Sequence, residues 1–378
     1  MKWVVLLAGL TLLVAACGET AVTTTTSAAT TTTAAGATTT TGAATTTAAA
    51  LIGDGRVVGM AFDVGGRGDL SFNDLAALAW DNGMAQFGYT GEELAPQGAQ
   101  GEDREDNLRL LAETGHELII ANGFAFAQNV GRVALEFPEV FFAITDDCPQ
   151  DETFTVVDLP NTVCMLFSEE QGSFLVGAAA ALKSETGTIG FIGGVTVPLI
   201  SKFQAGFEAG VNHINPDATV IVQYLTSPPD FSGFFTPALG FEAATAMYDQ
   251  GADVIFHAAG GSGLGMFQRA KEVSDSTGTK VWGIGVDSDQ YNTVPPELSE
   301  FVLTSMLKRV DIAVFDTIQA FLEGTLKPGE NRFNLERGGV GYSLTGGFVT
   351  DISGELDDLA AQIISGEIEV PTSAQPEA

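Results

Sequence analysis

Short apolar runs that end in glycine or aspartate recur along this chain, and stretches with helical periodicity lie between them. Strands are expected at 56–62, 118–122, 140–144 and 163–167, with helices at 74–80, 106–113 and 127–136. A second round follows, with helices expected at 173–182, 200–214, 241–250 and 264–274 and strands at 188–194, 220–224, 253–258 and 281–286. The runs are apolar throughout rather than alternating, which is the pattern of strands buried on both faces. Alternation with helices then demands a parallel α/β sheet covered on both sides. Two rounds predict two similar lobes rather than one large sheet. The last third carries a strand near 301–305 and a helix at 310–323 and is expected to cross back to the first lobe, which would make the hinge of a clamshell.

The chain start stands apart from this rhythm. Met1-Lys2-Trp3 carries one positive charge and precedes an apolar run over 4–16, too short for a membrane span and suited to a signal peptide. The run closes with Val14-Ala15-Ala16-Cys17, which resembles the lipobox of bacterial lipoproteins. That resemblance implies cleavage after 16, a lipid on Cys17, and anchorage on the extracytoplasmic face of the cell membrane. Residues 18–50 are almost all Thr, Ala, Ser and Gly, with too little large apolar surface to offset ordering entropy, and read as a disordered tether. The lobes are expected at 51–166 plus about 306–325 and at 167–305 plus about 326–370, with a tail at 371–378.

Acids outnumber bases 48 to 16, a formal charge of -32. Such a surface repels a phosphate backbone, so nucleic acid is not an expected partner, and free nucleotides are disfavoured for the same reason. Of three cysteines, Cys148 and Cys164 remain once Cys17 is acylated. They flank a short acidic excursion in an oxidising compartment, and a disulfide between them is expected. No metal site is expected, because His116, His213 and His257 stand far from both cysteines in sequence.

Residues 63–73 read D-V-G-G-R-G-D-L-S-F-N, between the first strand and the first helix. Gly65, Gly66 and Gly68 let the backbone take positive φ and approach a ligand. Asp69, Ser71 and Asn73 supply polar atoms, and Phe72 a flat apolar face, a combination suited to a neutral, flat, hydroxylated molecule. Read blandly, the same loop is a tight turn with a core phenylalanine. Polar residues also recur at strand exits, at Asp63, Asp146, Ser262 and Asp287, positions that converge on one cleft in a two-lobed α/β protein. Enzyme signatures fail: residues 260–265 complete neither G-x-S-x-G around Ser262 nor G-x-G-x-x-G, and no G-K-[ST] follows a loop. Residues 287–292 begin like an EF-hand loop and do not continue as one. Catalysis has no positive support, and no cofactor is expected.

Seven motifs in order carry a family resemblance: D-V-G-G-R-G-D-L-S-F-N, F-A-I-T-D ending at Asp146, G-S-F-L-V-G-A-A-A-A from Gly172, F-Q-A-G-F-E-A-G-V from Phe203, A-D-V-I-F-H-A-A-G-G-S-G from Ala252, I-G-V-D-S-D-Q from Ile284 and V-L-T-S-M-L-K from Val302. Over roughly 57–348 the chain resembles the basic membrane protein family of lipoproteins, whose characterised members bind purine nucleosides for ABC importers. The resemblance implies a type I periplasmic binding protein fold. It implies that Phe72 and Phe203 sandwich the base, that Asn73 and Asp146 bond its polar edges, and that Asp287 and Lys308 hold ribose hydroxyls, with the loop Gly260–Ser262, Gly261 and Ser262 among its candidate binding residues, close to the sugar. Asp69 completes the expected site, and Phe207, one turn after Phe203, is expected in the core. The implied partners are adenosine, guanosine or inosine and ABC permease subunits, with the protein a monomer. Leu70 departs from the family, which has lysine there. A binder of another small polar ligand, such as a sugar or autoinducer, and a nucleoside-processing enzyme remain open alternatives.

Overall fold

The computed structural model describes residues 50–374 apart from residue 99. The signal peptide, Cys17 and most of the expected tether lie outside the described residues, as do the last four of the tail. The strands are β1 Val58–Phe62, β2 Glu93–Leu94, β3 Leu118–Asn122, β4 Phe141–Thr145, β5 Thr162–Phe167, β6 Thr188–Val195, β7 Thr219–Thr226, β8 Val254–Ala258, β9 Trp282–Asp287, β10 Val302–Lys308, β11 Gly329–Phe333 and β12 Val340–Tyr342. The α-helices are α1 Phe72–Phe87, α2 Arg104–Glu113, α3 Ala127–Glu136, α4 Glu169–Lys183, α5 Pro198–Ile214, α6 Pro237–Asp249, α7 Gly263–Thr277, α8 Gln290–Thr293, α9 Pro296–Ser299, α10 Val310–Leu322 and α11 Ser353–Ser365.

Among the described residues the strands form two sheets, in the orders β11-β5-β4-β3-β1-β2 and β12-β10-β9-β8-β6-β7. Strand for strand the second repeats the first, and the paired strands are parallel except β10 with β12. The two lobes expected from the alternation are therefore present. β1, β3 and β8 are buried along their whole length, which is why they read as unbroken apolar runs. In the second lobe α4 and α5 pack backbone to backbone: a Cβ at Gly206 would lie 2.2 Å from Glu170 O, so any larger residue would push the helices apart. Phe207 is fully buried in this core, as expected.

The chain passes between sheets three times: after β5, after β10 and between β11 and β12. α10 returns to the first lobe, where Phe315 meets Phe87 of α1 at 5.1 Å between ring centroids. The crossings differ from the expected boundaries at two points. β10 stays in the second sheet through Lys308, where a crossing near 306 was expected. β11 lies in the first sheet, although 326–370 was assigned to the second lobe. Its sequence G-E-N-R-F is polar because it is an edge strand, so it gave no apolar signal. Cys148 and Cys164 form the expected disulfide, which ties the segment after β4 to β5.

Candidate functional site

In each sheet the strand order reverses at one point, beside β1 in the first lobe and beside β6 in the second. Loops leaving neighbouring strands there turn to opposite sides and open a crevice beyond the carboxyl ends. A cleft occupies this position. The first lobe lines it with Asp63, Val64, Asp69, Phe72 and Asn73 after β1, Gly123 and Phe124 after β3, and Asp146 after β4. The second lobe adds Leu199, Ile200 and Phe203 of α5, Phe234 beyond β7, Ala258 and Gly260 around the end of β8, Val286 and Asp287 of β9, and Lys308 of β10.

Seven of the nine expected binding residues thus share one cavity: Asp69, Phe72, Asn73, Asp146, Phe203, Asp287 and Lys308. Gly261 and Ser262 sit beside it, not on its wall. Gly261 lies against Asp69, and Ser262 Oγ accepts the Thr236 N–H at 2.8 Å. Asp63, Phe124 and Phe234 are lining residues absent from the expected set. Asp63 was legible as a strand exit, whereas phenylalanines in loops carry no signal that separates a cleft wall from core.

The loop after β1 orders itself. Gly65, Gly66 and Gly68 take φ of 93°, 56° and 100°, conformations that cost side-chain-bearing residues energy. The Asp69 carboxylate accepts N–H bonds from Ser71 (2.9 Å), Asn73 (2.8 Å) and Asp74 (3.1 Å), and so caps α1. Leu70 is also left-handed, with φ 57°. Its carbonyl accepts from Ser288 Oγ (2.7 Å) and Thr293 Oγ1 (3.1 Å) of the second lobe, while Ser71 Oγ donates to Asp287 Oδ2 at 2.7 Å. Position 70 therefore joins the lobes through its main chain, an interaction indifferent to whether its side chain is leucine or lysine.

Asp146 and Asp287 hold equivalent places after β4 and at the end of β9, and both are left-handed, with φ 74° and 63°. Aspartate tolerates this region better than most residues, and strained backbone of this kind gathers at ligand sites. Between them lies the Lys308 ammonium, 2.7 Å from Asp146 Oδ2 and 3.2 Å from Glu169 Oε1. It also stands 5.3, 5.1 and 5.5 Å from the ring centroids of Phe72, Phe167 and Phe203. Glu169 in turn meets Lys202 at 2.5 Å, so charges alternate through the lobe junction. Glu169 was not foreseen, because an acid in the first turn of a helix ordinarily answers the helix dipole. Burial opposes ionisation of Glu169, but Lys308 and Lys202 outweigh it and its pKa falls. Burial likewise works against the Lys308 charge, and Asp146, Glu169 and Asp287 reverse the effect and raise its pKa. Burial pushes Asp146 up to about 7 despite Lys308, which keeps its charge through Glu169. Asp146 Oδ1 is buried with no partner among the described residues, leaving an oxygen available to a ligand.

These shifts set a pH dependence. Burial also pushes Asp69 up to about 6, against its backbone N–H bonds. Both folded values exceed the ordinary 3.8, so the folded state binds protons more tightly than the unfolded chain. The stability this contributes is present in acid and is lost as pH rises through about 6 and then about 7. Ligand-free protein is expected to melt at a higher temperature near pH 5.5 than near pH 8, within roughly the window set by this linkage. Asp146→Asn should flatten the upper part of the curve; a circular-dichroism melt series reads both.

Two matched lobes closed on a buried cleft at their switch points, lined by aromatic rings and carboxylates, define a ligand-capturing clamshell of the substrate-binding class. Residues 56–374 match the family described as ABC transporter substrate-binding protein PnrA-like. The chain is 34% identical over 329 residues to the CD4+ T-cell-stimulating antigen of Listeria monocytogenes, covering 83% of this chain and 87% of that protein. It is 32% identical over 324 residues to the ABC transporter nucleoside-binding protein BmpA of Lactococcus lactis, covering 82% and 87%. A crystallised solute-binding protein of an ABC transporter system from Aeropyrum pernix K1 shares 28% identity and a TM-score of 0.73, over 85% of this chain and 94% of that one. The chain belongs to the PnrA-like, or Bmp, family of ABC transporter substrate-binding proteins. That family serves transporters by binding their substrates. Among the described residues no helix is long and apolar enough to cross a membrane.

Proposed function

We propose that this protein captures purine nucleosides in the interlobe cleft and delivers them to a membrane permease, as a monomer tethered by lipid on Cys17 to the extracytoplasmic face of the cell membrane. The observation that carries the reading is that Phe72 from one lobe and Phe203 from the other line the same cavity, with the carboxyl side chains of Asp146 and Asp287 buried beside them. Two rings from opposite lobes suit a flat heterocycle, and both can meet it only when the lobes are closed. Carboxylates accept hydrogen bonds from base N–H groups and sugar hydroxyls. In this reading Asn73 and Asp146 address the base, Asp287 and Lys308 the ribose, and the Gly261–Ser262 turn borders the sugar. A relative named as a nucleoside-binding protein supports the same substrate class.

Charge narrows the choice. Asp63, Asp69, Asp146 and Asp287 line the cleft, against Lys308 as its one lining cation among the described residues. Lys308 is already neutralised by Asp146 and Glu169. A phosphate would enter against this field, so nucleosides are favoured over nucleotides. Thermal-shift titration tests the proposal. Adenosine, guanosine or inosine at 100-fold over Kd should add about 2.7 kcal/mol of stability, while ribose and adenosine monophosphate leave the melt unchanged. Stabilisation by a sugar or autoinducer but by no nucleoside would refute the substrate assignment. Free hypoxanthine accumulating from inosine would replace capture with catalysis.

A further inference from the structure

Three side chains of the second lobe meet one main-chain atom of the first. The Leu70 carbonyl accepts from Gln290 Nε2 at 3.3 Å, beside the bonds from Ser288 Oγ and Thr293 Oγ1. Each half of this contact is held within its own lobe. In the first, the Asp74 carboxylate accepts the N–H groups of Gly68 (2.7 Å) and Leu70 (2.9 Å), which fixes the left-handed turn that carries the carbonyl. In the second, Gln290 Oε1 accepts the Val286 N–H at 3.0 Å and meets His257 Nε2 at 2.8 Å. A backbone N–H can only donate, so the oxygen end of the Gln290 amide stays inside its lobe and the nitrogen end faces Leu70. The same oxygen requires His257 to carry its proton on Nε2, and His257 Nδ1 is buried without a partner among the described residues. The Gln290 main-chain N–H donates to Ser305 Oγ at 3.0 Å, which seats the start of α8 on β10. Leu70, Ser288, Gln290 and Thr293 do not wall the cavity, and Thr293 faces solvent, so the contact joins the lobes apart from the ligand.

We infer that Ser288, Gln290 and Thr293 form a preset socket for the Leu70 carbonyl, and that its engagement sets how long the lobes stay shut on a captured ligand. Opening the clamshell must break these bonds, whatever lies inside. Donors and acceptor are placed before they meet, so docking orders little that was free. A net hydrogen bond shifts such an equilibrium by about 2- to 12-fold. The bonds form once the lobes have met and must break before they part, so they act on escape more than on entry. The gripped loop also carries Phe72 and Asn73, so the socket seats lining residues of the first lobe as it closes. Its members are positioning residues: they act through the closed state and not by touching the ligand.

Two readouts on the full chain test it, the first resting on the nucleoside reading and the second independent of it. In stopped-flow displacement of inosine, Ser288→Ala and Thr293→Val should each speed dissociation by about 2- to 12-fold, with association changed by less than about twofold. The double variant should be faster than either single. Asn292→Ala is the control: its side chain bonds Asp289 of the same lobe at 2.8 Å, and its loss should leave dissociation unchanged. In the second readout, spin labels at exposed Glu102 and Ser227, beyond the outer strands β2 and β7, report the interlobe distance without ligand. Ser288→Ala and Thr293→Val should both populate longer distances. Dissociation no faster than that of Asn292→Ala overturns the socket, as do distances unchanged by both variants. If inosine fails to bind at all, the nucleoside reading falls, and the spin-label distances alone decide the socket.

Discussion

Lys308→Met is expected to destabilise the protein by about 3–5 kcal/mol at neutral pH, the cost of leaving buried charge without its partner. The side chain is nearly isosteric along its stem, so the lost packing is small and the lost charge dominates. Lys308 is 1% exposed, and Asp146, Glu169 and Asp287 all act on its charge. Without it, Asp146 loses its ion-pair partner among the described residues, Asp287 loses a nearby opposing charge, and Glu169 retains Lys202. The sign of the pH effect follows. Asp146 already titrates at about 7 with Lys308 present, and removing the cation raises it further. The variant should therefore recover stability as pH falls, and Asp146→Asn placed on top of it should restore part of the loss at pH 7. Urea unfolding monitored at several pH values measures this. A loss of under about 1 kcal/mol, the level of an exposed pair, would show that water reaches the cluster.

Nucleoside affinity should fall by about 1–3 kcal/mol, roughly 5- to 160-fold, on replacing either ring of the sandwich by alanine. The two sites differ in what else they cost. Phe72 is partly exposed at the start of α1, so its truncation should leave the ligand-free melt almost unchanged. Phe203 is 3% exposed and packs into the main core, so its truncation also opens a cavity and lowers the melt. Phe203→Leu separates the effects, since it refills volume without restoring a flat face. Calorimetric titration of the ligand-free variants against inosine reads affinity, and melts of the same samples read stability. Variants that lose stability in the expected order but keep affinity would place the base elsewhere in the cleft.

The parts of this molecule that were legible in its sequence are those where one physical demand dominates. Strands buried on both faces must be apolar from end to end, and β3 emerges at the expected residues, as does the helix α3 that follows it. Strand exits were readable because a polar residue breaks an apolar run just where the chain leaves the sheet; Asp63, Asp146 and Asp287 all reach the cleft that way. The return segment was less readable. β11 and β12 sit at sheet edges, β11 polar and β12 only three residues long, and α11, with Leu356, Leu359 and Ile363 buried on one face, was not among the expected elements despite its helical spacing. Phe124 and Phe234 were hidden for another reason: the chain has 25 phenylalanines, and a ring shows its role only once its neighbours are in place. Glu169 likewise became meaningful only when β10 brought Lys308 alongside it.

The most direct measurement is to equilibrate the full chain with an equimolar mixture of nucleosides, nucleotides, free bases and sugars, remove unbound solute, denature the protein and weigh by mass spectrometry what it releases. A purine nucleoside, intact and near one per chain, is the predicted result, and it should vanish when Phe72 and Phe203 are both replaced by alanine. Release of a sugar, a nucleotide or a free base in its place would contradict the account.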